Sequence, residues 1–312
     1  MTIEADPRTT FEQVEGPGIC TSTLPQEATA SRATMVGWTA RWTAAARASE
    51  SERSDPLFTD PLAHALADEE ALILLHDATE SSAVRAQLPY IAVRTRFFDD
   101  FLIKAAHLSP TRQVVLLAAG MDTRAFRLPW PADTSVYELD QPELLSLKEH
   151  ILVREHAEPC CQRHTVGVDL EQDWGDALRS AGFQPNDPSI WLAEGFFYYL
   201  EEPSVRAVLK QITTLTTPGS WLGTDFLNHE FVSHPWFQQM RDALEVRGIS
   251  WRFTTDKPEA LLAEYAWRAQ GVQPGDQGAN FGRWPYPVLS RELQGCPRSL
   301  LVTAQRDTTI LQ

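Results

Sequence analysis

Beyond Pro110, the chain alternates short apolar segments with segments long enough to be helices. The apolar segments predict strands at 114–119, 136–140, 164–170, 189–195, 220–226 and 299–304. Three of the intervening or following stretches predict helices, at 142–155, 203–215 and 258–270. Strands that alternate with helices are typical of βαβ units. The pattern therefore predicts an α/β fold built on a mostly parallel sheet.

The residues before Pro110 have a different texture and predict helices. Trp38 and Trp42 recur at helical spacing in a segment that starts near residue 33, and residues 90–106 have one apolar face. We interpret residues 1–30 as a flexible arm and 31–312 as one domain. Within that domain we expect four parts: a helical cap (31–108), a ligand-binding core (109–226), a cap insertion over the substrate (227–290) and a final strand (291–312).

Charge and cysteine content exclude several classes of protein. The chain has 42 acidic and 27 basic side chains, a net charge of −15. This charge argues against nucleic acid and anionic membranes as partners, since both are bound through basic surfaces. The four cysteines show no spacing of a metal site, the first residues lack the apolar core of a signal peptide, and no apolar run is long enough to span a membrane. We expect a soluble, cytoplasmic protein without a metal.

Ligands of open α/β sheets bind beyond the carboxyl ends of the parallel strands. Four predicted strand ends are therefore candidate ligand contacts, at 118–124, 138–140, 169–170 and 194–195. Each of these ends carries an acidic residue or a glycine turn. The coincidence predicts a ligand site along this edge.

The turn after the first strand, AAGMDTR, argues against a dinucleotide. The dinucleotide fingerprint places glycines where this chain has Ala118, Gly120 and Thr123. Asp122 also puts a carboxylate where a pyrophosphate would lie, and like charges repel there. This disfavours the rival reading of an NAD-dependent oxidoreductase. The turn suits a cationic ligand without phosphates, and S-adenosylmethionine (SAM) has these properties.

The acids at the other strand ends fit the same ligand. Asp140 lies twenty positions after Gly120, a spacing typical of an acid that binds an adenosine ribose. A helix cap at Asp140 is one alternative, and ribose binding by Glu138, on the same side of the strand, is another. Asp169 and Leu170 could contact adenine, with a helix cap as the alternative for Asp169. Glu194 lies in an apolar stretch and either faces the ligand or forms an internal salt bridge.

Four motifs together carry a resemblance to a known family. LLAAGMDTRAFRLPWP, YELDQPELLSLK, VGVDLEQDW and WLAEGFFYYL occur in this order. They resemble the leucine carboxyl methyltransferase family, a group of SAM-dependent O-methyltransferases that includes many bacterial enzymes of secondary metabolism. The resemblance covers residues 33–305. It implies a Rossmann-like sheet of seven strands, the last antiparallel, with added helices.

The resemblance also implies roles for individual residues. Gly120 corresponds to the family's glycine-rich turn, Asp140 to its ribose-binding acid, the pair Asp169 and Leu170 to the adenine contacts, and Glu194 to an acid near the methionine portion of SAM. Arg94 resembles the arginine that holds the methionine carboxylate, with Arg96 as a fallback. Arg47 matches a second cation, although an exposed helix face is its alternative. Ala118 departs from the family, which often has glycine there; we expect its methyl group to tighten the turn without closing the site.

The acceptor decides what else the site needs. A carboxylate is ionised at neutral pH and needs only alignment, whereas a hydroxyl needs a general base. The candidates for such a base are His229, His234 and Tyr199. No arrangement of residues in the sequence has to be interpreted as a general base. Together with the resemblance, this favours methylation of a small, largely apolar carboxylic acid. Two alternatives stay open: a hydroxyl acceptor, and a SAM-binding partner subunit without catalysis. The oligomeric state is not predicted.

Overall fold

The computed structural model describes residues 32–77, 85–108 and 112–307. The predicted arm, residues 1–30, lies outside the described residues. Within the described part, seven strands form one sheet in the order β3-β2-β1-β4-β5-β7-β6. The strands are β1 Gln113–Leu117, β2 Ser135–Asp140, β3 Gln162–Gly167, β4 Ile190–Ala193, β5 Trp221–Leu227, β6 Trp267–Val272 and β7 Ser299–Arg306.

The sheet is parallel from β3 to β5, and β7 runs antiparallel to both of its neighbours. This confirms the predicted α/β class and the seven-stranded sheet with an antiparallel last strand. The order reverses at β1, which has β2 on one side and β4 on the other. A reversal of this kind opens a crevice at the carboxyl ends of the strands, where the sequence predicts the site.

Eleven α-helices occur among the described residues, together with short 3₁₀ turns. The predicted helices at 33, 90–106, 142–155 and 203–215 all exist, with ends shifted by a few residues. The helices are α1 Arg32–Ser51, α2 Ala63–Leu66, α3 Glu69–Asp77, α4 Leu88–Leu108, α5 Arg124–Arg127, α6 Pro142–Arg154, α7 Gly175–Ser180, α8 Glu202–Thr214, α9 His229–Ser233, α10 Gln238–Glu245 and α11 Pro258–Ala263.

The predicted helix at 258–270 is wrong in its second half. Helix α11 ends at Ala263, and residues from Trp267 onward form β6. Ala266 has φ of 59°, which is incompatible with a continuing right-handed helix. Beyond it, buried Trp267 and exposed Arg268 start an alternation typical of a strand, a short pattern that the preceding helical periodicity obscures. The stretch predicted as a substrate cap, 227–290, therefore also supplies a strand of the sheet.

Both faces of the sheet are covered by apolar side chains. Leu117 belongs to a core shared with Trp174 and Leu209, from the side of α7 and α8. The adjacent Leu116 points the other way and joins a core with Phe98 of α4. Burial on both faces explains why β1 is a continuous apolar run rather than an alternating one. None of the described helices combines the length and the apolar character needed to cross a bilayer.

Candidate functional site

A cavity of about 230 Å³ lies at the carboxyl ends of β1, β2 and β4. One water molecule needs only ~10–15 Å³, so the space suits an organic ligand. All eight residues that the sequence predicts as cofactor contacts line this one cavity: Arg47, Arg94, Gly120, Asp122, Asp140, Asp169, Leu170 and Glu194. The fold thus brings together residues that are up to 147 positions apart in the chain.

The turn after β1 is held tightly between β2 and α1. Ala118 and Gly120 both have positive φ, 51° and 43°. The Gly120 N–H donates a 2.7 Å hydrogen bond to the Asp140 carboxylate. A Cβ atom at Gly120 would lie 3.0 Å from that of Ala40, so a side chain there would push against α1. Glycine at this position meets both the conformational and the steric requirement.

We expect Ala118→Gly to stabilise the protein. Alanine is strained at φ of 51°, and relief of that strain exceeds the entropy that glycine adds to the unfolded chain. The expected gain in the free energy of unfolding is about 0.5–1 kcal/mol, measured by urea denaturation. Ala119→Gly is the matched control, because Ala119 does not have positive φ and should lose stability. A comparable loss in both variants would contradict a strained Ala118.

Asp140 is buried against the turn with both carboxylate oxygens engaged. One oxygen accepts the Gly120 N–H and the other accepts the N–H of Gln141, each at 2.7 Å. Burial raises the pKa of this carboxyl above its usual value. Each oxygen keeps a second lone pair for a hydroxyl donor. The helix-cap alternative does not describe this geometry, because Gln141 occupies the N-cap position of α6.

The other alternative for ribose binding, Glu138, is engaged elsewhere. Its side chain is fully buried and accepts hydrogen bonds from Lys148 at 2.7 Å and Arg163 at 2.9 Å. Glu138 is not part of the cavity wall. Strand alternation places it on the same side as Asp140, but two residues further back along the strand, where helix α6 covers it.

Asp169 and Leu170 follow β3 and form the opposite part of the wall. The Leu170 side chain is buried in the core, whereas Asp169 is exposed. The Asp169 carboxylate accepts the N–H of Glu171 at 3.0 Å, which fixes the turn. The pair therefore offers an apolar surface beside an accessible carboxylate.

Arg94 and Glu194 form an ion pair at the wall. Arg94 Nε lies 2.8 Å from Glu194, and Arg94 Nη1 lies 3.0 Å from Asp225 and 3.1 Å from the Tyr198 hydroxyl. Burial disfavours a charged Glu194, but Arg124 and Arg94 outweigh it and hold its pKa below the usual range. Glu194 therefore forms internal salt bridges and also lines the cavity, and its contact with a ligand stays a prediction.

Arg124 is a central cation that the sequence reasoning missed. It contacts Asp99 at 2.7 Å and Glu194 at 2.8 Å, and it also pairs with Asp122. Burial would raise the pKa of Asp122, but Arg124, with help from Lys148 and Arg47, lowers it to about 2. The Asp122 carboxylate is thus already compensated. The signal was available, since Arg124 lies inside the AAGMDTR motif at the same turn.

Arg47 ties α1 to the turn. Its Nε donates to Asp60 at 2.8 Å and its Nη2 donates to the Met121 carbonyl at 2.6 Å. The residue is buried, so the alternative of an exposed helix face is wrong. Asp60 also accepts the Thr123 hydroxyl at 2.7 Å, and this second contact holds the same turn.

These ion pairs combine into one charge network, and six of its nine members line the cavity. Asp225 was also missed, although an acid within the apolar strand WLGTDFL is the same kind of signal as Glu194. The network contains four guanidinium groups and five carboxylates and so has a net charge of −1: Arg47, Arg94, Arg124 and Arg127 with Asp60, Asp99, Asp122, Glu194 and Asp225.

The three candidate bases lie in different places. Exposed His229 starts α9, and the His234 ring accepts the N–H of Trp236; neither belongs to the cavity wall. Tyr199 does line the cavity, and burial raises the pKa of its hydroxyl to about 12. Arg96, the fallback for Arg94, pairs with Asp100 at 2.9 Å and is also absent from the wall. Within the described ranges, no group of three or more histidine, cysteine or acidic side chains is arranged to hold a metal ion.

Comparisons with known proteins show which family this chain resembles. The family model of leucine carboxyl methyltransferase matches residues 40–213. A relative from Mycobacteroides abscessus is 35% identical over 263 residues, which cover 80% of this chain and 88% of the relative. A relative from Parafrankia is 49% identical over 195 residues, 61% of this chain and 63% of that protein. Both are provisionally named S-adenosyl-L-methionine-dependent methyltransferases.

A solved structure shares the fold. A DUF574 family protein from Streptomyces avermitilis superposes with a TM-score of 0.56 over 86% of this chain and 97% of that chain, at 12% identity. At this identity the match supports the fold alone. The family model covers more than half of the chain, and the Mycobacteroides relative aligns over most of both sequences. The chain therefore belongs to the leucine carboxyl methyltransferase family of SAM-dependent methyltransferases.

Proposed function

We propose that this protein transfers a methyl group from SAM to the carboxylate of a small, largely apolar acid, which forms a methyl ester. The observation that carries the proposal is the composition of the cavity wall. It combines acids and arginines suited to SAM with aromatic side chains, and among the described residues it holds no histidine that could act as a base.

The wall fits SAM in the types of its polar groups. SAM carries an ammonium, a sulfonium and a carboxylate, and the wall offers both carboxylates and guanidinium groups to meet them. Arg94 would hold the methionine carboxylate, and Asp140 the ribose. Asp169 and Leu170 would contact the adenine, while Asp122 and Glu194 would lie toward the cationic groups.

When bound, SAM would supply an activated methyl group, whose carbon an acceptor oxygen would attack in line while the bond from that carbon to sulfur breaks and a neutral thioether leaves. The protein's own contribution is to align the reactants and to exclude water from them. Groups held in the correct orientation react as if they were present at a high effective concentration. Arg124 pairs with Glu194, which in turn pairs with Arg94, and Asp60 accepts the Thr123 hydroxyl of the turn. These contacts fix the charged groups of the wall. A site organised in this way does not have to reorient its charges during the reaction.

The acceptor side of the wall is mainly apolar. Phe196, Tyr198 and Tyr199 follow β4, and Ile249 approaches from the segment after α10. Pockets for small molecules combine such side chains with a few polar groups. A small aromatic or aliphatic acid suits this wall, and a carboxylate needs no base to become a nucleophile at neutral pH.

We expect Tyr199→Phe to keep most of the methyl transfer activity. A hydroxyl with a pKa of about 12 remains protonated at neutral pH and cannot serve as an efficient base. The value of kcat should stay within about threefold of the wild-type value, and it should not vary with pH between about 6 and 9. Loss of kcat by a factor of ~10² or more, the usual contribution of a general base, would favour a hydroxyl acceptor instead.

Calorimetry with SAM, S-adenosylhomocysteine and NAD tests the assignment of the cavity. We expect SAM and S-adenosylhomocysteine to bind and NAD not to bind. Absence of binding by SAM and S-adenosylhomocysteine would contradict the proposal. Binding of SAM without methyl transfer to any acid of an extract would instead favour a non-catalytic SAM-binding subunit.

A further inference from the structure

Five arginines line the cavity, and one of them differs from the rest. Arg47, Arg94, Arg124 and Arg127 are buried in the charge network, each within 2.8 Å of a carboxylate. Arg252 stands outside that network and its side chain is 45% exposed. The cavity therefore has a cation at its solvent side that the proposed SAM contacts do not use.

The position of Arg252 is fixed by the main chain. Its N–H donates a 2.7 Å hydrogen bond to the carbonyl of Tyr198, the residue whose hydroxyl contacts Arg94. Its Nε donates to the Ser250 hydroxyl at 3.2 Å, and Ser250 also lines the cavity. Arg252 is thereby attached to the aromatic side of the wall, where we place the acceptor.

The ion pair of Arg252 is weak enough to be exchanged. Its Nη1 lies 3.5 Å from Glu201, whose side chain is 62% exposed. Exposed pairs at such distances contribute little, because water and salt screen them. An incoming carboxylate can replace Glu201 without breaking a buried contact. The other four wall arginines are buried in ion pairs of the charge network, and one of them, Arg94, is already assigned to the methionine carboxylate of SAM.

We infer that Arg252 is a specificity-determining residue that receives the carboxylate of the methyl acceptor. The inference rests on the proposed function, in which the acceptor is an acid. A guanidinium that holds one carboxylate oxygen leaves the other oxygen available for attack. Arg252 also offsets, at the point of entry, the repulsion between an anionic acceptor and a protein of net charge −15. Neutral analogues of the acceptor gain nothing from this contact.

The test uses the full-length protein loaded with S-adenosylhomocysteine. The probes are octanoate, dodecanoate, phenylacetate and cinnamate, each paired with its primary amide, and calorimetry measures the dissociation constants. For acids that bind the wild-type protein, we expect a preference over the amide of at least about tenfold. Arg252→Gln should reduce this preference to about threefold or less, while the affinity for S-adenosylhomocysteine stays unchanged.

Two further variants complete the test: one is expected to tighten binding of the acid, and the other is a control that is expected to change nothing. Glu201→Gln removes the competitor for Arg252 and should tighten binding of the acid by about two- to threefold. Arg206→Gln is the matched control, because Arg206 is an equally exposed arginine paired with Glu202 and Glu264 and is not part of the wall. It should leave every constant unchanged.

Several outcomes would overturn the role of Arg252. These are equal binding of acid and amide to the wild-type protein, unchanged acid affinity in Arg252→Gln, and no binding by any of the four acids. Each is informative only after S-adenosylhomocysteine has bound to the same sample. If S-adenosylhomocysteine fails to bind, the proposed function itself is wrong, and the two failures are thus distinguished.

Discussion

Arg94→Lys is expected to weaken binding of S-adenosylhomocysteine by at least about 30-fold, or ~2 kcal/mol. Arg94 is buried with Glu194 and Asp225 on one side and the cavity on the other. A lysine keeps the positive charge but loses the planar fork that can hold network acids and a ligand carboxylate together. The dissociation constant measured by calorimetry is the readout.

A second ligand shows whether Arg94→Lys removes a contact to the ligand carboxylate or disturbs the whole cavity. 5′-Methylthioadenosine has the nucleoside and the sulfur but lacks the amino acid part of SAM. Its affinity should stay within about threefold of the wild-type value in Arg94→Lys. Equal losses for both ligands would mean that Arg94 only supports the shape of the cavity. No loss for either ligand would mean that another group holds the carboxylate.

Arg124→Met is expected to lower the free energy of unfolding by about 3–5 kcal/mol. The methionine fills much of the volume but leaves Asp99, Asp122 and Glu194 without their shared cation. A buried carboxylate that loses its partner is costly, because its charge is no longer compensated in a poorly solvated site. Urea denaturation measures the change.

An exposed ion pair serves as the control for Arg124→Met, and the pH dependence of stability distinguishes lost charge pairing from lost packing. Arg179→Gln breaks an exposed pair with Asp176 and should cost at most about 1 kcal/mol. Because the folded pKa of Asp122, about 2, lies below its ordinary value of 3.8, its contribution is present above pH 3.8 and is lost as the pH falls toward 2. The gap between wild type and Arg124→Met should therefore narrow below about pH 4. A gap of equal size at all pH values would point to lost packing instead.

The sequence predicted the parts of the fold that follow from local pattern. Strands β1, β2 and β4 are mainly apolar segments of strand length, and the turns or acids at their ends mark the cavity. Strand β6 was missed because its alternation is brief and follows a helix without a proline or glycine between them. Its pairing with β7 is a contact between distant segments, which periodicity does not reveal.

The candidate site was predictable residue by residue but not as a network. Strand-end position pointed to Asp140 and Glu194, and the resemblance added Arg94. Arg124 lies within the AAGMDTR motif, but nothing in the local sequence indicates that its guanidinium meets acids from α4, from the turn and from the end of β4. Partners that far apart in the chain are a consequence of the tertiary structure.

Methyl transfer to a carboxylic acid is the direct test of the proposed function. The protein is incubated with SAM labelled in the methyl group and with a library of small carboxylic acids, and mass spectrometry detects the labelled product before and after treatment with base. We expect at least one acid to gain a labelled methyl group that base removes, because base hydrolyses an ester. A labelled methyl group that resists base, or binding of SAM without transfer to any acid, would contradict the proposed function.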